Sequence, residues 1–173
     1  MTTTIISLCL ATVLSAEAPA PQTAAPIEVY FSPNGGCTDA VLKQLKAAQS
    51  SVLVQAYWFT SAPIAKALVE THARGVKVEV ILDLSRAQID NTQANVLVDG
   101  GVPTFIDAHH VTAHNKVIIV DGRVVVTGSF NFTEQAEKEN AENLLVIRDR
   151  AVAEKFTANW KAHRSHSGRY GKR

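Results

Sequence analysis

A chain of 173 residues with 46% hydrophobic content can bury one good core and has no room for two catalytic domains. Its formal net charge is +1, or 17 − 15 = +2 once a leader containing Glu17 but no Lys or Arg is set aside, too small a balance to imply nucleic-acid binding by itself. Cys9 falls in that leader and Cys37 is left alone, which excludes an internal disulfide; a packed, inert thiol is expected, with pairing across a dimer as the alternative.

In chain order, the N-terminus reads as an address. Ile5 to Leu14 is an apolar run too short to span a bilayer, and Ala16-Glu17-Ala18 offers a small-residue cleavage site before Pro19. Residues 1–18 are therefore expected to be a Sec-type signal peptide, although Met1-Thr2-Thr3-Thr4 carries only the α-amino charge. A Pro/Ala-rich linker follows over 19–26, and one catalytic domain over 27–173. No later apolar run reaches transmembrane length, so the expected product is exported, periplasmic and without stable membrane association.

Hydrophobic periodicity predicts strand 27–31, helix 38–48, strand 51–57, helix 62–73, strand 76–82, helix 88–98 and strand 103–106. A hairpin over 113–120 and 123–127, strand 142–147 and helix 149–162 complete the order. Alternating strands and helices with an antiparallel hairpin imply an α/β domain: a mixed β-sheet flanked by helices. Ser61-Ala62-Pro63 is a helix start, Arg74-Gly75 its stop, and His72 in the last turn is placed to interact with the terminal carbonyls. Tyr57, Trp58 and Phe59 end a central strand and are read as core or cleft wall rather than a base-stacking platform; Trp160 is read as core. The acid-free stretch with Lys161, Arg164, Arg169, Lys172 and Arg173 either contacts phosphates or is a solvated tail.

The chemistry concentrates in His114, Lys116, Asp121, Gly128, Ser129 and Asn131, spaced H-x-K-x4-D-x6-G-S-x-N. Val117 to Val120 and Val124 to Val126 are β-branched runs joined by Asp121-Gly122, a strong hairpin signal. Side chains at i and i+2 of a strand share a face, so His114 and Lys116 project together while Asn115 points away. The hairpin gathers His114, Lys116, Ser129 and Asn131 at one end, with Gly128 allowing close backbone approach. His114 can attack a phosphodiester as neutral imidazole, and Lys116, Ser129 and Asn131 can bind its non-bridging oxygens. No metal or other cofactor is implied by that set. Asp121 belongs to the motif as a candidate catalytic residue, yet a side chain at the hairpin tip sits opposite His114, which favours a structural role. His109 and His110 form H-H-x3-H with His114; without a supporting carboxylate or Cys pattern they are expected to rim the catalytic cleft rather than bind metal.

The spacing resembles the HKD motif of the phospholipase D superfamily, and the resemblance covers most of the chain after its leader. With one motif copy and this length, the chain is most similar to the small bacterial secreted endonucleases of that superfamily. The resemblance implies a metal-independent phosphodiesterase that cleaves DNA, or RNA, through a phosphohistidine. One motif supplies one histidine, while the departing oxygen needs a proton donor on the far side of phosphorus; the resemblance to single-motif members implies a homodimer in which the second His114 is that acid. It also points to Glu142 as the carboxylate that would accept the His114 Nδ1 proton. The alternative function is a phospholipase D or cardiolipin hydrolase using the same site, for which an exposed apolar interface element is expected but not visible after residue 26. A catalytically silent nucleic-acid-binding module is disfavoured by the full set of catalytic groups.

Overall fold

Val117, Ile118, Ile119 and Val120 are all buried, the pattern of a strand covered on both faces rather than of a half-exposed hairpin. A computed structural model, which describes residues 27–171, explains why. Their strand, β5 (Lys116–Val120), lies near the middle of an eight-stranded sheet. The others are β1 (Ile27–Ser32), β2 (Ser51–Ala56), β3 (Lys77–Asp83), β4 (Thr104–Asp107), β6 (Val124–Gly128), β7 (Glu142–Ile147) and β8 (Gly168–Arg169), in the order β1-β7-β6-β5-β2-β3-β4-β8. β2, β3 and β4 run parallel, whereas β1, β7, β6 and β5 form antiparallel ladders. The mixed sheet expected from the sequence is therefore present, with its parallel and antiparallel halves joined at the antiparallel β2–β5 pair.

One face is covered by α1 (Cys37–Ala47), α2 (Ala62–Ala73) and α4 (Ala94–Asp99), whose Val41, Leu45, Ile64, Leu68 and Leu97 pack on Val54, Val78, Ile118 and Val126. The other is covered by α6 (Arg150–His166), where Ala153 and Trp160 meet Ile81, Phe105, Val117, Ile119 and Val125. Trp160 is core as expected, and its indole N–H donates to the Val54 carbonyl at 2.9 Å. Each such fully buried aliphatic side chain contributes about 2 kcal/mol of transfer free energy. Helix α2 starts and ends where the sequence indicates: Ser61 Oγ accepts from Ile64 N at 3.4 Å, with Pro63 in the first turn.

The expected helix over 88–98 is corrected. Asp83 Oδ1 accepts from the N–H groups of Ser85 and Arg86 at 2.9 and 3.3 Å, starting a single turn, α3 (Leu84–Ala87), ahead of the expected position. Asp90-Asn91-Thr92 then breaks the path, because short polar side chains compete for backbone groups; Thr92 Oγ1 accepts from Ala94 N at 3.3 Å as α4 begins. Two short elements were not anticipated: β8, and α5 (Glu134–Lys138), capped by Thr133. His72 also departs from expectation, since its Nδ1 is buried without a hydrogen-bond partner among the described residues. The signal peptide and the linker, residues 1–26, lie outside the described residues; among the described residues no helix is long and apolar enough to cross a membrane.

Candidate active site

The end of β2, the start of β5, the end of β6 and the start of β7 all fall at one end of the sheet, and the motif residues other than Asp121 sit there. Tyr57 N donates to the Asn115 carbonyl at 2.9 Å, continuing the β2–β5 ladder past Lys116 and fixing the backbone between His114 and Lys116. Ala113 N donates to the buried Asp83 Oδ2 at 2.8 Å, so the carboxylate that caps α3 also holds the approach to His114.

His114 is exposed and Lys116 is buried. Lys116 Nζ lies 3.0 Å from His114 Nε2 and 3.0 Å from the His114 carbonyl. An ammonium can only donate, so in this pair Nε2 is the acceptor and carries the lone pair, the form needed for attack on phosphorus. The Tyr57 ring lies 4.4 Å from the imidazole, centre to centre, and 4.9 Å from Lys116 Nζ, so it forms a wall behind both groups. Burial pulls the Lys116 ammonium below its ordinary pKa, with the Glu142 carboxylate opposing.

Asn131 stands between Phe130 and Phe132, both nearly fully buried, and its Oδ1 is buried without a partner among the described residues. Gly128 has a φ of +153° and passes so close to β7 that a Cβ would stand 2.2 Å from the Asn143 carbonyl oxygen. Ser129 is turned toward β7: its Oγ accepts from Asn143 N at 3.0 Å and Asn143 Nδ2 at 3.4 Å, leaving its own proton to donate. Glu142 accepts from Asn140 Nδ2 at 3.0 Å rather than from His114, so the expected imidazole–carboxylate bond is not formed.

Asp121 is separated from this group. At the opposite end of the β5–β6 hairpin, it accepts from the N–H groups of Gln49, Ser50 and Ser51 at 3.0, 2.8 and 2.9 Å and ties the hairpin tip to the start of β2. The structural explanation of Asp121 is the one that fits, and it leaves the candidate catalytic set. His110, expected in a loop that rims the cleft, turns its ring to the buried Asp107 beside His163 and His166. Cys37 is fully buried and its thiol is pushed up to about 11 by burial and the nearby Glu137 and Glu142 carboxylates, which removes the prospect of a disulfide across a dimer.

Asp83 and Arg86 were missed in the sequence. The Arg86 guanidinium lies 5.1 Å from the Tyr57 ring centre and 4.7 Å from that of Trp58, and its Nε donates to Tyr57 Oη at 2.9 Å. Asp83-Leu84-Ser85 is a helix-start signal that could have located both residues. Phe59 is core, whereas Tyr57 and Trp58 are half-buried at the site.

Fold and site together define a phospholipase D-type hydrolase, and the chain belongs to the phospholipase D superfamily. Residues 41–164 match the family described as cardiolipin synthase, PLD-like domain. A phospholipase D of Rickettsia prowazekii is 39% identical over 141 residues, covering 82% of this chain and 69% of that protein. A mitochondrial cardiolipin hydrolase of Mus musculus is 34% identical over 125 residues, covering 70% of this chain and 57% of the relative. Among solved structures, the phospholipase D family member Nuc from Salmonella typhimurium superposes with a TM-score of 0.81 at 35% identity, covering 85% of this chain and 99% of Nuc.

Proposed function

We propose that the protein is a metal-independent endonuclease acting on DNA, with RNA as a second candidate substrate, through a phosphohistidine in a shared dimer site. The observation that carries this reading is the His114–Lys116 pair with Tyr57 behind it and Arg86 layered on Tyr57 and Trp58. A phosphodiester seated on the pair would have its sugar and base beside aromatic and guanidinium surfaces suited to stacking. In this mechanism His114 Nε2 forms a bond to phosphorus while the bond to the leaving oxygen breaks, and His114 of the partner subunit supplies the proton to that oxygen. Water then attacks the phosphohistidine, that second imidazole takes up its proton, and His114 is regenerated. Lys116, Ser129 and Asn131 stabilise the charge on the non-bridging oxygens. Glu142 acts through Lys116, keeping a positive charge favourable in a buried position.

The second reading, phospholipase D or cardiolipin hydrolase, draws on the names of the Rickettsia and mitochondrial relatives. It is favoured by one observation, the fully exposed Val111 in the loop that precedes His114. Plasmid DNA, RNA and cardiolipin vesicles incubated with purified protein in EDTA distinguish the two: nicking of DNA without lipid turnover is expected, and lipid hydrolysis alone refutes the nuclease. His114→Asn should abolish turnover with the fold intact, and wild type quenched during turnover should yield a phosphohistidine. Full activity in folded His114→Asn would refute the mechanism.

A further inference from the structure

Three histidines converge on one buried carboxylate, in a group that does not include His114. Asp107 ends β4 with its side chain wholly inaccessible. Its Oδ1 accepts from the backbone N–H of His109 at 3.0 Å and of His110 at 3.4 Å. Its Oδ2 faces three imidazole nitrogens: His163 Nδ1 at 2.7 Å, His110 Nδ1 at 3.0 Å and His166 Nε2 at 3.3 Å. Three ring nitrogens crowd an oxygen that has two lone pairs. A cation among the four groups would turn that crowding into coordination.

We propose that Asp107, His110, His163 and His166 form a tetrahedral site for a divalent transition-metal ion, with zinc as the fitting ion. The four ligand atoms lie within 4.8 Å of one another. A tetrahedron with bonds of about 2.0–2.1 Å places its ligand atoms about 3.3 Å apart, so closure needs roughly an ångström of side-chain movement. His110 and His166, at 42% and 29% side-chain exposure, have the freedom to supply it. Imidazole-rich donor sets favour zinc over magnesium or calcium, which prefer shells of oxygen. The spacing is paired: D-x2-H leaves β4, and H-x2-H lies on one face of α6. The ion would clamp the last turns of α6 to β4 and to the loop running from Asp107 toward His114. This is a structural clamp, distinct from the phosphate chemistry, and its test does not depend on the substrate.

Full-length protein treated with chelator and dialysed is titrated with Co2+. One equivalent should give the intense visible absorption of tetrahedral Co2+, and one equivalent of Zn2+ should bleach it. The spectrum should be lost in His110→Gln/His166→Gln, checked for fold by circular dichroism, and unchanged in His114→Asn. If the double variant misfolds, His110→Gln alone should weaken Co2+ binding at least 10-fold. Zn2+ should also raise the unfolding midpoint of wild type. No tetrahedral spectrum at one equivalent, a spectrum that survives the His110 and His166 changes, or its loss in His114→Asn overturns the proposal.

Discussion

At the scale of single residues, Lys116 and Asp121 separate function from stability in opposite ways. The ammonium of Lys116 is buried, and burial lowers its pKa in the folded state. The unfolded chain then holds the proton more tightly, so the group costs stability at neutral pH, and the cost fades as pH rises through the folded value toward the ordinary one. Lys116→Met should therefore lower kcat on the order of 10^2-fold while raising stability by about 1 kcal/mol at pH 7 in urea melts, a gain that shrinks near pH 10. For Asp121, burial alone would raise the carboxyl pKa, but the N–H groups of Ser51, Ser50 and Gln49 and the Ser50 hydroxyl outweigh it and hold the pKa low. Its contribution is complete above the ordinary carboxylate value and is lost as pH falls through the folded one. Asp121→Asn should cost about 1 to 2 kcal/mol at neutral pH, less in acid, and leave kcat of the folded fraction intact. The motif was legible as a unit because strand periodicity and the Asp-Gly turn are local signals. The two jobs inside it could be told apart only partly, since the backbone donors to Asp121 lie around 70 residues earlier in the chain.

Among elements, β6 and β7 carry the tightest constraint. Gly128→Ala would drive a methyl group into the Asn143 carbonyl at a backbone angle that disfavours side chains. The expected loss is about 2 to 3 kcal/mol of stability, read by thermal melts, together with reduced kcat as Ser129 and Asn131 shift. Strand β7 and helix α2 were legible to the residue because alternation and capping signals coincide there. The segment between Asp83 and Asp99 was not, because apolar spacing suggested one helix where Asp83 and Thr92 start two. Arg86 escaped notice for the same reason. The joining of His110 to His163 and His166 was hidden differently: it depends on where α6 packs, which no local pattern encodes.

For the whole molecule, the proposed shared site needs a surface on which two copies of this single-motif chain can meet. Ile27, Val29 and Phe31 on the edge strand β1 are 55%, 51% and 66% exposed, and they share a face with the half-buried Leu145 and Ile147 of β7. The row runs toward the catalytic end, where Ser32 pairs with Glu142. We propose this face as the surface on which a second copy docks to build the shared site. Phe31→Glu should shift the protein toward monomer in sedimentation and lower activity per chain, with the loss relieved at high concentration. Heterodimers of wild-type and His114→Asn chains should lose most activity; retention of half would refute the shared site. The pairing of β1 with β7 also sets an order in time. Glu28 and Arg148, joined by a salt bridge, stand 120 residues apart in sequence. Strand β1 is thus made well before it can dock, since its partner in the ladder follows it only after more than a hundred intervening residues. A growing chain lacks β7 and Glu142, and therefore one wall of its cleft, for the whole interval between the two strands.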